Sequence, residues 1–403
     1  MENFNIRLKF LLSCLLPFSL SCTLTFDLFC WMHSMFFDTV LTHLPKLTLV
    51  LVYLQWNGAT LLRPNSSNVA DRNSSGRNFD KLPQQMQHFV SHMEIRDYPI
   101  LIQPDGVCGA GAKYERERPL LLMAIKSTEL NLENRQAIRR TWGAEGGAYV
   151  RRVFLLGKEP PEGLNEDFPG LLRMESKLYG DILQWDFEDT FFNLTLKDVL
   201  FWSWFSGSCG RTRFVFKGDD DVFVNTPKLI TYLQDQLKEP QARDTMKGFM
   251  VGNVIGAASP VRVNSSKYFI PVSFYKGLYP AYAGGGGVVY SSLLTKRLLN
   301  TSKRVLLFPI DDVYVGMCMV RLNLCPSHHP AFLTFDFPAK EEEQPCAYHR
   351  VLLVHKRSPM MCLTVVCLLH DPPQPAVIPD QLWLLQKNPA VTFCTEPSNE
   401  FNF

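Results

Sequence analysis

The stretch Phe214-Val215-Phe216-Lys217-Gly218-Asp219-Asp220-Asp221-Val222-Phe223-Val224-Asn225 limits what this chain can fold into more than any other. Arg213 to Phe216 reads as a buried strand that stops at Gly218 and delivers three carboxylates at its carboxyl end, and apolar residues resume at Val222. Ligands of open α/β sheets bind outside the carboxyl ends of the strands. Three adjacent acids repel one another, so a fold that buries their base needs a counter-charge. A divalent cation with oxygen ligands is the simplest one, and such a cation commonly also binds substrate phosphates. On this reading Asp219 and Asp221 share one side of the turn and Asp220 faces elsewhere. A solvated acidic loop, or a calcium site that only stabilises the fold, are the alternatives. Apolar segments on both sides of the acids favour metal–nucleotide chemistry.

The other segments fit a single large α/β domain. Pro119 to Lys126 is a continuous apolar run, as expected for a strand covered on both faces. Asn131 to Trp142 reads as a helix with Arg135 and Arg139 on one face. These two form either an ordinary solvated basic face or a phosphate clamp built on forked guanidinium donors. Arg151 to Gly157 and Phe249 to Val251 read as short strands, and Pro227 opens a helix. The aromatics of the helix through Leu200, Phe201 and Trp204 read as core. Tyr279 to Tyr282 lead into Gly284-Gly285-Gly286-Gly287, a run that permits close backbone approach beside groups suited to a sugar shelf. In Phe308-Pro309-Ile310-Asp311-Asp312-Val313-Tyr314, two carboxylates sit between apolar flanks, as a helix N-terminus, a general base, or both. His355 ends a further apolar run and is either structural or a candidate metal ligand.

The ends of the chain read differently. Residues 1–9 are short and carry Arg7 and Lys9. Residues 10–31 are about long enough for a transmembrane signal-anchor, and the flanking charges put the remainder on the lumenal side. A cleaved signal peptide is the alternative. Residues 32–78 read as stem and linker, rich in Ser, Asn, Gly and Arg after Asn57. The catalytic domain is expected at 79–358, followed by an atypical tail at 359–403. Sequons at Asn65, Asn73, Asn193, Asn264 and Asn300 fit the secretory pathway. Lys+Arg of 41 against Asp+Glu of 39, with no long basic run, argues against nucleic acid as a partner. The 11 cysteines show no CxxC spacing, which argues against zinc ribbons.

Taken together, these segments resemble the β-1,3-glycosyltransferase family, in particular its N-acetyllactosaminide β-1,3-N-acetylglucosaminyltransferase branch. The residues that carry the likeness are Ala124 to Ser127, Arg135 to Gly143, Val153 to Gly157, Asp189 to Lys197, Lys217 to Asn225, Leu278 to Gly287 and Ile310 to Tyr314. The resemblance implies a nucleotide-sugar-binding domain of the glycosyltransferase A type, with a mixed central sheet flanked by helices. It implies Mn2+ or Mg2+, UDP-N-acetylglucosamine as donor, and inverting transfer to the 3-hydroxyl of terminal β-galactose on glycoproteins or glycolipids. UDP-galactose as donor and a catalytically impaired lumenal relative are the alternatives. It further implies a Golgi membrane protein of type II topology; the oligomeric state stays open, a homo- or hetero-oligomer with other glycosyltransferases being one alternative. By the same likeness Asp312 is the base and Asp311 positions a sugar, with the swapped assignment open. Asp219, Asp221 and His355 hold the metal, and Lys126, Arg135, Arg139, Asp219 and Asp220 bind the donor. Met360 to Leu369 departs from the family pattern, which has an amphipathic helix with acidic and Trp residues there.

Overall fold

The computed structural model describes residues 82–104, 107–108, 119–144, 149–159, 168–337 and 345–369. The expected anchor, its cytosolic tail, the stem and most of the C-terminal tail lie outside them. The strands are β1 (Ile100–Ile102), β2 (Leu121–Lys126), β3 (Val150–Lys158), β4 (Ile182–Glu188), β5 (Phe214–Asp219), β6 (Val222–Val224), β7 (Met250–Gly252), β8 (Val254–Ile255), β9 (Tyr282–Ala283), β10 (Gly287–Ser291), β11 (Ser327–His328), β12 (Phe332–Leu333) and β13 (Leu353–His355). The helices are α1 (Gln84–His92), α2 (Leu132–Arg140), α3 (Phe168–Tyr179), α4 (Leu194–Ser208), α5 (Thr226–Lys238), α6 (Ala242–Thr245), α7 (Ser292–Ser302), α8 (Asp311–Arg321) and α9 (Pro359–Leu369). Among these, no helix is long and apolar enough to cross a membrane.

Eight strands form the main sheet, in the order β1-β4-β3-β2-β5-β10-β7-β11. The β4-β3-β2-β5 block is parallel. β10 runs antiparallel to both β5 and β7, and β1 antiparallel to β4, so the sheet is mixed. All six residues of β2 are buried because the sheet is covered on both faces. Successive side chains of a strand point to opposite faces. Leu122 and Ala124 therefore join one apolar layer with Val153, Leu155 and the helix α4, while Leu121, Met123 and Ile125 join a second layer with Phe154, Leu156 and Phe216. A small sheet, β12-β13-β6, packs beside the carboxyl end of β5.

Local chemistry sets the element ends. Asn225 caps α5, its side chain accepting from the Lys228 N–H at 3.2 Å, and Pro227 stands in the first turn. α4 is largely apolar on every face and lies in the core, with Phe201, Trp202 and Phe205 fully buried. Cys108 and Cys209 form a disulfide that ties the segment before β2 to the end of α4. The chain beyond 358 does not begin as a tail: α9 packs on α2 and contributes Cys362 and Val365 to the second apolar layer. The Cys362 thiol lies 3.5 Å from the Val222 carbonyl of β6, so the helix reaches the small sheet as well.

Candidate active site

β5 ends at Asp219, and the chain turns through Asp220 and Asp221 straight into β6. The Asp219 N–H donates to the Gly286 carbonyl at 3.0 Å, so the glycine run that leads into β10 is fastened to the acidic turn. β13 pairs antiparallel with β6, which sets His355 opposite Val222. That register delivers the imidazole to the acids: His355 Nε2 lies 3.2 Å from Asp221 Oδ1 and 3.9 Å from Asp219 Oδ2. Gly286 has φ of +88° and stands where a Cβ would come within 3.1 Å of His355 Cγ, so only glycine fits without strain. His355 Nδ1 lies 3.1 Å from the Thr334 carbonyl. A carbonyl only accepts, so Nδ1 carries a proton and Nε2 is the nitrogen that faces the acids.

Asp219, Asp221 and His355 each offer a ligand atom within 4.8 Å of the others. Two carboxylates and an imidazole suit a hard divalent cation such as Mn2+. Asp220 faces the other way. It accepts from Ser127 Oγ at 2.6 Å and from Asn131 Nδ2 at 3.0 Å, and Asn134 reaches it at 3.3 Å. Burial pushes its carboxyl above the ordinary value, against the pull of the Ser127 and Asn131 hydrogen bonds.

The second acidic pair reaches the same place. α8 begins with Asp311 and Asp312 in its first turn. Lys126, at the end of β2, lies 2.7 Å from Asp311 Oδ2 and 3.0 Å from Asp219 Oδ1, bridging the two sets of acids. Lys217 of β5 lies 2.7 Å from Asp198, 3.3 Å from Asp311 and 3.7 Å from Asp312. Asp312 also borders the glycine run, its Oδ2 3.4 Å from where a Cβ on Gly285 would stand. Lys126 and Lys217 therefore join Asp219, Asp311 and Asp312 in one charge cluster.

Two ammonium groups are shared among four carboxylates, and the sharing is unequal. Burial opposes ionisation of Asp311, but Lys126 and Lys217 outweigh it and hold that carboxyl well below the carboxylate range. Asp312 is pushed up to about 7, by burial first and by the ionised Asp311 second. Lys126 opposes burial in the same way at Asp219, which is held below its ordinary value. The Asp221 hydrogen bond raises His355. The two carboxyls are thus driven in opposite directions, Asp311 toward its ionised form by Lys126 and Lys217 and Asp312 toward its neutral form by burial and by Asp311.

The two arginines proposed as a diphosphate clamp are placed elsewhere. Arg135 is 1% exposed and makes a two-pronged contact with Glu175, at 2.9 and 2.7 Å. Arg139 bonds Glu175 at 2.7 Å and grips Asp181 with two bonds, at 2.9 and 2.7 Å. Arg152 adds a bond to Asp181 at 2.8 Å. Neither a solvated basic face nor a phosphate clamp results, because two acids from α3 and the following turn take up the guanidinium forks. Arg135 touches the acidic turn only indirectly, through Ser127 Oγ at 3.2 Å and thence Asp220. Asp198 and Lys217 had no assigned role from sequence. The available signal was Lys197-Asp198, two charges on a helix with otherwise apolar faces.

With this geometry in view, the comparisons with known proteins are consistent. The family described as Galactosyltransferase matches residues 133–330. The mouse protein N-acetyllactosaminide beta-1,3-N-acetylglucosaminyltransferase 2 is 45% identical over 297 residues, covering 73% of this chain and 72% of its own. The human UDP-GlcNAc:betaGal beta-1,3-N-acetylglucosaminyltransferase 9 is 45% identical over 316 residues, covering 73% and 76%. The human acetylgalactosaminyl-O-glycosyl-glycoprotein beta-1,3-N-acetylglucosaminyltransferase is 39% identical over 305 residues, again covering 73% and 76%. The chain belongs to the β-1,3-glycosyltransferases of the Galactosyltransferase family.

Proposed function

We propose that the chain transfers N-acetylglucosamine from UDP-N-acetylglucosamine to the 3-hydroxyl of a terminal β-galactose, with inversion and with Mn2+ or Mg2+. The observation that carries this is the charge cluster in which Lys126 and Lys217 join Asp219 to Asp311 and Asp312. The names of the relatives support the donor and the galactose acceptor.

An inverting displacement needs the acceptor hydroxyl on one side of the anomeric carbon and the departing diphosphate on the other. Asp312 accepts the hydroxyl proton, since its proton affinity near neutrality suits a base. Asp311 stays ionised and holds the two lysines in register. Lys126 lies close enough to Asp219 to add positive charge beside a bound diphosphate. A divalent cation held by Asp219, Asp221 and His355 would supply Lewis-acid stabilisation of the charge growing on the leaving group. Asp220, which accepts from Ser127, Asn131 and Asn134, is assigned to the nucleoside end of the donor.

The reading extends to a type II Golgi membrane protein with residues 10–31 as anchor, 32–78 as stem and a lumenal catalytic domain that begins at 79. The acceptors are galactose-terminated chains of glycoproteins or glycolipids. UDP-galactose is the competing donor, because the matched family is described as Galactosyltransferase. A donor panel against a lactosamine acceptor, with and without Mn2+, tests the proposal. Mn2+-dependent transfer from UDP-N-acetylglucosamine supports it. Transfer from UDP-galactose alone, or none from either donor, rejects it.

A further inference from the structure

Two residues that are neither the acids nor the histidine of the candidate cation site lie against it. Arg357, two positions beyond His355, is 3% exposed. Its backbone N–H donates to the Asp221 carbonyl at 2.6 Å. Its guanidinium pairs with Asp336, Nη2 on Oδ1 and Nη1 on Oδ2 at 3.3 Å. The rings of Phe337 and Tyr348 lie 5.5 and 5.8 Å from it. Asp336 belongs to the same short segment as Thr334, whose carbonyl receives the His355 Nδ1 proton and whose hydroxyl donates to the Gly285 carbonyl at 2.9 Å. One ion pair thus ties together the two chain segments that aim the acidic turn and the imidazole.

We propose that the Asp336–Arg357 pair is a latch that preorganises the cation site, fixing the Asp221 carbonyl and aiming His355 Nε2 at the acids. The inference rests on reading Asp219, Asp221 and His355 as the ligands. The backbone on both sides of the latch argues for a constrained device rather than incidental packing. Lys356 has φ of +61° and Asp336 of +91°, in the left-handed region that side-chain-bearing residues rarely adopt. Such conformations persist where the surroundings over-determine them, and they cluster at ligand sites. The Lys356 turn swings the Arg357 N–H onto Asp221 directly after His355. Neither Asp336 nor Arg357 offers an atom to the cation, so both are positioning residues. Groups that orient a ligating histidine typically change metal affinity 10–100-fold when removed.

The test measures Mn2+ binding to the full-length chain by electron paramagnetic resonance, with spin-echo modulation from imidazole nitrogen as the signature of His355. Asp336→Asn, Arg357→Lys and Asp221→Asn are compared with the parent. Asn tolerates the left-handed backbone at 336, so the first change removes little but the charge, and Arg357→Lys keeps the charge but loses the fork. The latch predicts about tenfold weaker Mn2+ binding in both variants. It also predicts a reduced nitrogen modulation and a thermal transition without Mn2+ close to that of the parent. If Asp336→Asn does not fold, Arg357→Lys decides alone. Affinity within about twofold of the parent overturns the latch when Asp221→Asn abolishes binding. Loss of affinity matched by collapse of the thermal transition also overturns it, since general packing would produce that. If Asp221→Asn binds Mn2+ as the parent does, the cation-site reading itself fails and the latch with it.

Discussion

Replacing Asp311 by an asparagine should move the pH dependence of turnover toward acid. In the parent, Asp312 is raised from 3.8 to about 7, a displacement of roughly 4 kcal/mol in favour of its neutral form. Burial supplies the larger part and the charge on Asp311 the next. Lys217 lies 3.3 Å from an oxygen of Asp311 and 3.7 Å from one of Asp312, so those oxygens are no more than about 7 Å apart. Two unit charges at that separation repel by roughly 2 kcal/mol at an effective dielectric of about 20. A neutral amide in place of the Asp311 carboxylate would remove the repulsion. It would also leave Lys126 and Lys217 free to stabilise an ionised Asp312, which acts in the same direction. The parent's kcat/KM should rise about tenfold between pH 6 and pH 8, because the ionised fraction of a base near 7 rises by that factor. In Asp311→Asn the midpoint should fall by about 1.5 pH units, the equivalent of that repulsion, with the plateau lowered by loss of positioning. The assay is UDP release at saturating Mn2+ across pH, with acceptor concentration varied. A midpoint that stays in place or moves upward refutes the assignment of Asp312 as the group that must ionise.

Asp221→Ala should abolish Mn2+-dependent turnover while circular dichroism and the thermal transition stay close to the parent, since Asp221 lies half-exposed at a strand end. Arg139→Met should destabilise the fold by about 3–5 kcal/mol, because Glu175 and Asp181 would keep buried charges with one partner fewer. Its donor KM should stay near the parent value, whereas a diphosphate clamp would raise it, so urea unfolding and donor kinetics separate the two roles. Gly286→Ala should cost about 1–2 kcal/mol for the left-handed backbone and weaken Mn2+ binding by pressing on His355, as read by thermal unfolding and Mn2+ titration.

Much of the fold was legible because buried parallel strands write themselves as continuous apolar runs. Pro119 to Lys126 and Arg151 to Gly157 announced β2 and β3 within a residue or two. The acid clusters were legible because carboxylates between apolar flanks have few structural reasons to be there. The arginines misled for a physical reason. Helical spacing places Arg135 and Arg139 on one face, but says nothing about what covers that face, and the acids that do so come from 36 to 42 positions away. The roles of Lys217 and Asp198 were hidden likewise, since a buried ion pair between a strand and a helix leaves no local pattern. The packing of α9 was unreadable because an all-apolar helix shows no preferred face.

The most direct test of the account is the kinetics of Asp312→Asn on the full-length chain, measured together with its affinity for UDP-N-acetylglucosamine. If Asp312 takes the acceptor proton, kcat falls by about 10²–10⁴ while donor affinity stays within about threefold of the parent. A kcat within a few-fold of the parent, with donor binding intact, would contradict it.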